Sequence, residues 1–311
     1  VSLFKWRGSV GTVGNDKIGQ RRFLYQSTWT LATDGYQFGR DYNGVGYGGA
    51  AEEMLGATNV TWEKALKYNL GMDLGFFNDA VTFTGDAFYE RRNNILAQPG
   101  TVPATMGITS LPFLNLGETE NKGFELEAQL RKRFRNINYF IKGNISYAQN
   151  KILQMDEPSY EDRPYIKRTG RSINEQYSMI ALGLFQNQED INSSPDQSQY
   201  GRIIPGDIKF KDMNGDNVIN ELDRAYNGKL TVPTTMAGFA FGFNTSNLDV
   251  SVLFQGGFGG NVWLTGNAVW PFDGDVGVIA DVKDNYWTPE RPNAKYPRLS
   301  SSNNVNNNQI S

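Results

Sequence analysis

Residues 212–223, DMNGDNVINELD, carry oxygen-bearing side chains at alternate positions, as an oxygen-ligand calcium loop does. In an EF-hand-type loop the ion is bound by side chains at positions 1, 3 and 5, a backbone carbonyl at 7, position 9 through water, and a carboxylate at 12. The residues at these positions are Asp212, Asn214, Asp216, Val218, Asn220 and Asp223. The spacing predicts a structural divalent-cation site. Ca²⁺ is preferred over Mg²⁺, because a flexible shell of several carboxylates suits the larger ion.

The loop departs from the EF-hand pattern at two positions. Glycine stands at position 4 (Gly215) rather than 6, so Asn217 must make the sharp turn, and asparagine tolerates positive φ better than most residues. Position 12 is Asp223 rather than glutamate, which resembles the dockerin variant of the loop. The alternative is a surface loop rich in Asx-turns that binds no ion. In either case the apolar Ile219 is expected to anchor the loop to neighbouring structure.

Composition excludes several kinds of chemistry. The 311 residues include no cysteine and no histidine, so disulfides, thiolate-bound zinc and a Ser-His-Asp triad are impossible. A net charge of -3 without a basic stripe argues against a nucleic-acid partner. No run reaches the roughly 18 apolar residues of a membrane-spanning helix. Paired carboxylates occur at Glu118/Glu120 and Glu125/Glu127, and glycosidases use two carboxylates at a defined separation. Glu125 and Glu127 share a strand face with Asn121 and Gln129, which favours a polar, water-facing strand face over a catalytic pair.

Elements that could position these side chains are strands, because period-two alternation recurs along the chain. From 62 to 76 the even positions are mostly apolar and the odd ones polar or glycine, and the pattern returns after the two residues 78–79 in 80–96. Further hairpins are predicted for 119–133 with 137–147, turning at 135–136, and for 236–244 with 248–254, turning at 246–247. With the opening 3–10 these segments make seven long strands, so the fold class is all-β and antiparallel.

Two architectures compete for these strands. One is a soluble β-sandwich, serving as a glycan-binding module or a carbohydrate-active enzyme domain. The other is part of a transmembrane β-barrel with lipid on its apolar face, and it is favoured because the strands exceed the usual ~5–6 residues. Short turns also alternate with long segments at 14–61, 97–117, 151–235 and 259 onward, as in outer-membrane barrels with long extracellular loops. Segment 151–235 is expected to hold no spanning strand, only a local one at 178–186.

Aromatic residues in the long segments are candidate substrate contacts, because flat amphipathic rings stack on sugars and grip peptide side chains. The alternative is that they pack loops together or face a partner protein. A basic cluster at 131–135 adjoins a short turn, where interfacial charge on a barrel rim is expected. The candidate substrate-binding residues are Trp29, Tyr36, Tyr42, Tyr47, Trp263, Trp270 and Trp287.

Five blocks together resemble the TonB-linked outer-membrane transporters of the SusC/RagA type. They are VGTVGNDKIGQRRFLYQSTW (10–29), TWEKALKYNLGMDLGFFNDAVTFTGDAFYERRNNIL (61–96), NLGETENKGFELEAQL (115–130), PGDIKFKDMNGDNVINELDR (205–224) and YWTPERPNAKYPRL (286–299). The resemblance implies a large, plugged antiparallel barrel of about 22 strands. It also implies a location in the outer-membrane lipid of a Gram-negative bacterium, a SusD-like surface lipoprotein as partner, and energy delivered by TonB.

The function implied by this resemblance is uptake of oligosaccharides, or alternatively of peptides, without enzymatic chemistry. Residues 1–311 would then be a fragment of the barrel domain, without the plug and without the first and closing strands. Residues 205–228 would form a dockerin/EF-hand-like loop within an extracellular segment.

Overall fold

A computed structural model describes residues 1–16, 23–37, 46–102, 105, 110–264, 266, 270–272, 277–301 and 306. The chain divides into two compact units. Unit 1 comprises Val1–Ser159, Arg168–Ile173 and Pro233–Gly259, and unit 2 comprises Tyr160–Lys167, Asn174–Val232 and Gly260–Ser311. Within the described ranges, no helix has the length and apolar character needed to cross a membrane.

The described elements are mainly strands. In chain order they are β1 (Leu3–Asn15), β2 (Thr28–Gln37), β3 (Gly46–Met54), β4 (Glu63–Phe76), β5 (Val81–Ala97), β6 (Leu114–Phe134), β7 (Ile137–Gln154), β8 (Glu175–Ser178), β9 (Ala181–Leu184), β10 (Ile208–Phe210), β11 (Ala225–Leu230), β12 (Thr235–Asn244) and β13 (Asp249–Phe258). The α-helices are the short α1 (Gln188–Asn192) and α2 (Ala280–Asn285). Single 3₁₀ turns occupy Pro164–Ile166, Ser198–Tyr200 and Glu221–Asp223.

Unit 1 is built on a seven-stranded antiparallel sheet in the order β1-β4-β5-β6-β7-β12-β13. The prediction of seven long strands is confirmed. Strand β7 pairs directly with β12, for example Ile145 with Ala237, so no strand from 151–235 enters the sheet, as expected. A separate hairpin of β2 and β3 was not predicted, because glycines interrupt the alternation in β3.

The three short turns lie at one edge of the sheet, as expected from the alternation. The turn predicted at 246–247 occupies 245–248, because Asn244 pairs with Asp249. The turn at Arg135 and Asn136 has the predicted two residues, and Arg135 takes a φ of 55°. The turn between β4 and β5 is longer than predicted and occupies 77–80, with Phe77, Asn78 and Asp79 all at positive φ. Its extra length follows from the strand ends, because Phe76 pairs with Val81 and leaves four residues between them.

The two faces of the sheet differ in polarity. One cross-strand row contains Leu74, Phe83, Ala128, Gly143, Phe239 and Phe254, and the adjacent row on the other face contains Asp73, Thr84, Glu127, Asn144, Gly238 and Gln255. Large side chains of the apolar face are exposed: Leu70 is 58% exposed and Phe239 is 46% exposed. The sheet therefore presents one apolar and one polar face, as the alternation predicts.

Unit 2 is organised around a small apolar cluster of Met179, Ile208, Phe210 and Ile219. The predicted strand at 178–186 is instead two strands, β8 and β9, because the chain changes partner from β11 to β10 between them. Ile219 is fully buried, and its backbone N–H donates to the carbonyl of Asp196 at 2.8 Å. The expectation that Ile219 anchors the 212–223 loop is confirmed.

Candidate functional site

The polar face of the sheet holds a charge cluster centred on Arg7 of β1. Its guanidinium lies 3.0 Å from Asp73 on β4 and 2.7 Å from Asp86 on β5. Gly71 pairs with Arg7, and a Cβ at that glycine would stand 2.9 Å from the Arg7 Cζ and 2.4 Å from the Asp86 Oδ1. The guanidinium therefore crosses β4 because Gly71 has no side chain. The sequence patterns did not single out this cluster, since its signal is a three-strand register rather than a motif.

A second cluster occupies the same face nearer to the long connections. Glu90 forms ion pairs with Lys67 at 2.9 Å and with Arg92 at 2.7 Å, and Arg92 also forms an ion pair with Glu63 at 2.8 Å. These side chains are only partly exposed, but both signs of charge are balanced among them. Such a partly exposed, ion-paired wall suits a water-filled interior better than it suits a protein core.

Of the two carboxylate pairs, only Glu125 and Glu127 lie on this wall. Glu127 forms an ion pair with Lys142 at 2.8 Å, and Glu125 lines an open recess of about 350 Å³ beside Asp86 and Ser146. The first pair, Glu118 and Glu120, lies on the opposite face of β6. There Glu118 is ion-paired with Arg91 and Glu120 accepts the Tyr89 hydroxyl at 3.2 Å. The four carboxylates thus belong to two faces rather than to one catalytic site.

A cavity of about 730 Å³ lies where β1, β4 and β5 end, at the edge opposite the short turns. Asn115 links two segments beside this cavity: its side chain accepts a hydrogen bond from the Thr61 N–H at 2.8 Å and donates one to the Asn94 carbonyl at 2.6 Å. Its aromatic lining residues are Phe23, Tyr25, Trp62 and Phe113, and its acidic ones are Asp16 and Glu63. Exposed rings beside oxygen acceptors suit a ligand with flat apolar faces and hydroxyl donors.

The candidate aromatic residues differ in how exposed their side chains are. Trp29 on β2 and Tyr47 on β3 are 60% and 61% exposed, and Tyr36 of β2 pairs with Tyr47 in the backbone register. Tyr42 lies outside the described residues. In unit 2, Trp263 is exposed and Trp270 is half-buried. Trp29, Tyr47 and Trp263 are therefore exposed candidates.

Trp287, in contrast, is only 8% exposed and packs within unit 2. Gly206 has a φ of +91°, and a Cβ there would lie 2.4 Å from the Trp287 ring. Arg298 donates its backbone N–H to the Gly206 carbonyl at 2.9 Å and forms a 2.7 Å ion pair with the fully buried Asp207. The segments 205–210 and 286–298 thus form one packed assembly, which fits the packing alternative for Trp287.

Backbone amides surround the carboxylates of the 212–223 loop. Asp212 accepts from the N–H groups of Gly215 at 2.6 Å and Asn217 at 2.8 Å, and Asn217 takes the expected positive φ of 64°. Asp223 is fully buried and accepts from Met213 and Asn220, each at 2.8 Å. Burial raises the pKa of Asp212, but the backbone N–H bonds outweigh it and hold that pKa below its usual value.

The same loop is the candidate site for a metal ion. Across the described residues, no group of three or more acidic side chains converges closely enough to hold one. The donor set of positions 1, 3, 5, 7, 9 and 12 nevertheless consists of oxygen ligands, which Ca²⁺ prefers. Backbone N–H bonds to Asp212 and Asp223 already order this loop.

Comparison with known proteins gives consistent matches. A family model described as "TonB dependent receptor-like, beta-barrel" matches residues 22–288. TonB-dependent receptor P3 of Formosa agariphila is 27% identical over 311 residues, covering 96% of this chain and 30% of the receptor. TonB-dependent receptor SusC of Bacteroides thetaiotaomicron is 23% identical over 265 residues, covering 81% of this chain and 24% of SusC.

Solved structures share the fold. The RagAB peptide importer in its "open-open" state superposes with a TM-score of 0.67 at 18% identity, covering 96% of this chain and 31% of that one. The RagAB peptide transporter gives a TM-score of 0.63, also at 18% identity, covering 96% and 32%. This chain thus spans about a third or less of the length of the relatives that it matches.

Proposed function

Because the chain belongs to the TonB dependent receptor-like β-barrel family, we propose that it forms part of a transporter barrel in the outer membrane of a Gram-negative bacterium. The observation that carries this proposal is the two-faced sheet. Its apolar face exposes residues such as Leu70 and Phe239, whereas its polar face carries the ion pairs of Arg7 and Arg92. Lipid outside and water inside would satisfy both faces at once.

The sheet edges support a larger barrel. Strands β1 and β13 each pair on one side only within the described sheet. An unpaired strand edge in hydrocarbon costs several kcal/mol for each backbone group, so spanning sheets close into barrels. We propose that the remaining strands of a barrel of about 22 close these edges, and that a plug domain fills its interior.

The proposed activity is active uptake of nutrients, driven by TonB and assisted by a SusD-like surface lipoprotein. Both partners follow from the similarity to SusC and RagAB rather than from a contact in this chain. Substrate would pass through without covalent chemistry, because in each carboxylate pair one member, Glu118 or Glu127, is held in an ion pair. This proposal makes the protein a transporter and not an enzyme.

Oligosaccharide is the proposed substrate class, with peptide as the alternative because RagAB is described as a peptide importer. The exposed aromatic side chains of unit 1, Trp29, Tyr47 and Trp62, and separately Trp263 of unit 2, are of a type that stacks on sugar rings. Carboxylate acceptors such as Glu63 in the cavity wall would bind sugar hydroxyls. A neutral or basic ligand suits this lining better than an anionic one.

Calcium is the proposed ion for the 212–223 loop, with magnesium as the alternative. Its role would be structural, holding residues 205–228 rigid. Support comes from the oxygen-only donor set and from the backbone order that Asp212 and Asp223 already impose. The chain contains no histidine to assist metal-activated hydrolysis, so no catalytic role is proposed.

A growth experiment tests the transport proposal. A strain lacking the full gene is complemented with the wild-type gene or with a Trp29→Ala/Tyr47→Ala variant, and growth is measured on a panel of glycans and peptides. We expect the deletion strain to lose growth on one class of glycan and the variant to show reduced uptake at low substrate concentration. Undiminished growth of the deletion strain on every substrate tested would reject the transport role, and loss on peptides alone would reassign the substrate.

A further inference from the structure

The apolar face of the sheet becomes aromatic and basic beside the two-residue turn at 135–136. A row of apolar side chains, Leu130, Ile141, Phe241 and Val252, crosses four strands. The next row toward the turn contains Lys132, Tyr139, Phe243 and Val250, and beyond it stands Phe134. Because side chains alternate between faces, all of these residues share the apolar face. A purely apolar band is thus followed by an aromatic and basic border.

The aromatic residues of this border contact one another or a cation. The rings of Tyr139 and Phe243 lie 6.2 Å apart, and Tyr139 is exposed. The Arg135 guanidinium lies 5.4 Å from the ring centre of Phe134, which is itself 60% exposed. Aromatic side chains with one polar side favour the boundary between hydrocarbon and water. This contact holds the Arg135 charge on the apolar side of the turn.

The positive charges of the border are not neutralised locally. Throughout the described part of the chain, no carboxylate lies within ion-pair distance of Lys132 or Arg135. No Asp or Glu occurs in the two cross-strand rows of the apolar face that contain Leu130 and Lys132. Basic residues of the same cluster on the opposite face, Arg131 and Arg133, point to the other side of the sheet. Lys132 and Arg135 therefore form a cationic pair beside an apolar surface.

We infer that Lys132 and Arg135 bind the phosphate of a phospholipid headgroup, whose acyl chains would lie along Leu130, Ile141 and Phe241. A phosphate diester supplies the negative charge, and Arg135 offers a planar fork of donors while Lys132 offers a point charge. The surface lies on β6, β7 and β12, each of which has both neighbours within the described sheet. No missing strand can therefore insert between these residues. The inference rests on the proposed membrane location of the sheet.

The test uses the full-length transporter purified in detergent and titrated with phosphatidylglycerol, with bound lipid counted by native mass spectrometry. The probe variant is Lys132→Gln/Arg135→Gln. Its control, Arg131→Gln, removes a positive charge at the same rim from the opposite face; Arg133 is left in place because it donates to the Arg135 carbonyl at 3.3 Å. Each basic residue beside an anionic lipid surface contributes about fivefold in affinity, so the probe variant should bind roughly 25-fold more weakly while the control matches wild type.

Three further measurements make the outcomes decisive. Heat-modifiable migration on a gel shows whether each variant still forms a barrel, so failure of the membrane proposal is seen separately from failure of the lipid site. A charge-preserving Lys132→Arg/Arg135→Lys variant should restore most of the binding. Glycerol phosphate, which has a headgroup but no acyl chains, should not compete at equal concentration. Equal losses in probe and control, no loss in either, or full competition by glycerol phosphate would each overturn the phospholipid site.

Discussion

Substitution of Gly206 by alanine should destabilise the packing of segment 205–210 against segment 286–298. Gly206 has a φ of +91°, where an L-residue pays about 1 kcal/mol or more. Its new Cβ would also stand 2.4 Å from the Trp287 ring and 2.8 Å from the Arg298 Cβ, and overpacking of this kind typically adds about 2 kcal/mol. Together these two costs destabilise the packed state by about 3 kcal/mol. The population in which the two segments have separated should therefore rise roughly 100-fold.

Gly215 provides the matched control within unit 2. Its φ is +78°, but nothing lies within 4 Å of a Cβ built there, so Gly215→Ala carries only the backbone cost. That cost is about 1 kcal/mol, which corresponds to about a fivefold change. The comparison therefore separates the steric clash with Trp287 from the effect of a positive φ.

Limited trypsin digestion of the purified full-length protein measures the effect, because cleavage tracks the open population when opening and closing are fast. Cleavage after Arg202, Lys209 and Lys211 should accelerate roughly 100-fold in Gly206→Ala and about fivefold in Gly215→Ala. Heat-modifiability of the barrel should be unchanged in both variants. Equal acceleration in the two variants would refute the account of Gly206 as a close-approach site for Trp287.

Three further predictions concern topology, metal content and pH. An impermeant thiol label on intact cells should modify Ser193→Cys and spare Ser246→Cys, and labelling at Ser246 would reverse the orientation. Metal analysis of the full-length protein should find calcium that is lost in Asp212→Ala/Asp216→Ala, and equal content in both would eliminate the site. Backbone amides lower the pKa of Asp212, so its ionised carboxylate stabilises the folded loop at pH values above the unfolded pKa of about 4. This stabilisation is lost as pH falls through the lowered folded pKa. Amide protection in 212–223 should therefore persist from pH 7 to 5, and its loss in that range would contradict this assignment.

The sequence predicted the long strands well because alternation is a local signal. Strand β7, for example, is recognisable from Tyr139, Ile141 and Ile145 alternating with Lys142 and Asn144. The hairpin of β2 and β3 escaped prediction because its register shifts at several points and glycines replace apolar residues. The four-residue turn at 77–80 depends on where the β4 and β5 registers end, which alternation does not fix.

Side-chain clusters were harder to predict than strands. Asn217 could be assigned a positive φ and Ile219 an anchoring role, because both positions belong to one short loop. The Arg7 cluster joins three strands whose residues lie up to 79 positions apart, so only the register shows it. Burial of Trp287 likewise depends on Gly206, which is distant in sequence. Contacts between distant segments carry no local period from which to infer them.

The claim that one face of the sheet meets lipid is tested most directly on β7, which is central in the sheet. Spin labels are placed one at a time at Ile141, Lys142, Asn144 and Ile145 of the full-length protein in lipid bilayers. Collision rates with oxygen, which partitions into lipid, and with a water-soluble nickel complex are then measured. The account predicts that oxygen dominates at Ile141 and Ile145 and that nickel dominates at Lys142 and Asn144. Labels at Ile141 and Ile145 that are shielded from both reagents, as in the core of a soluble sandwich, would contradict it.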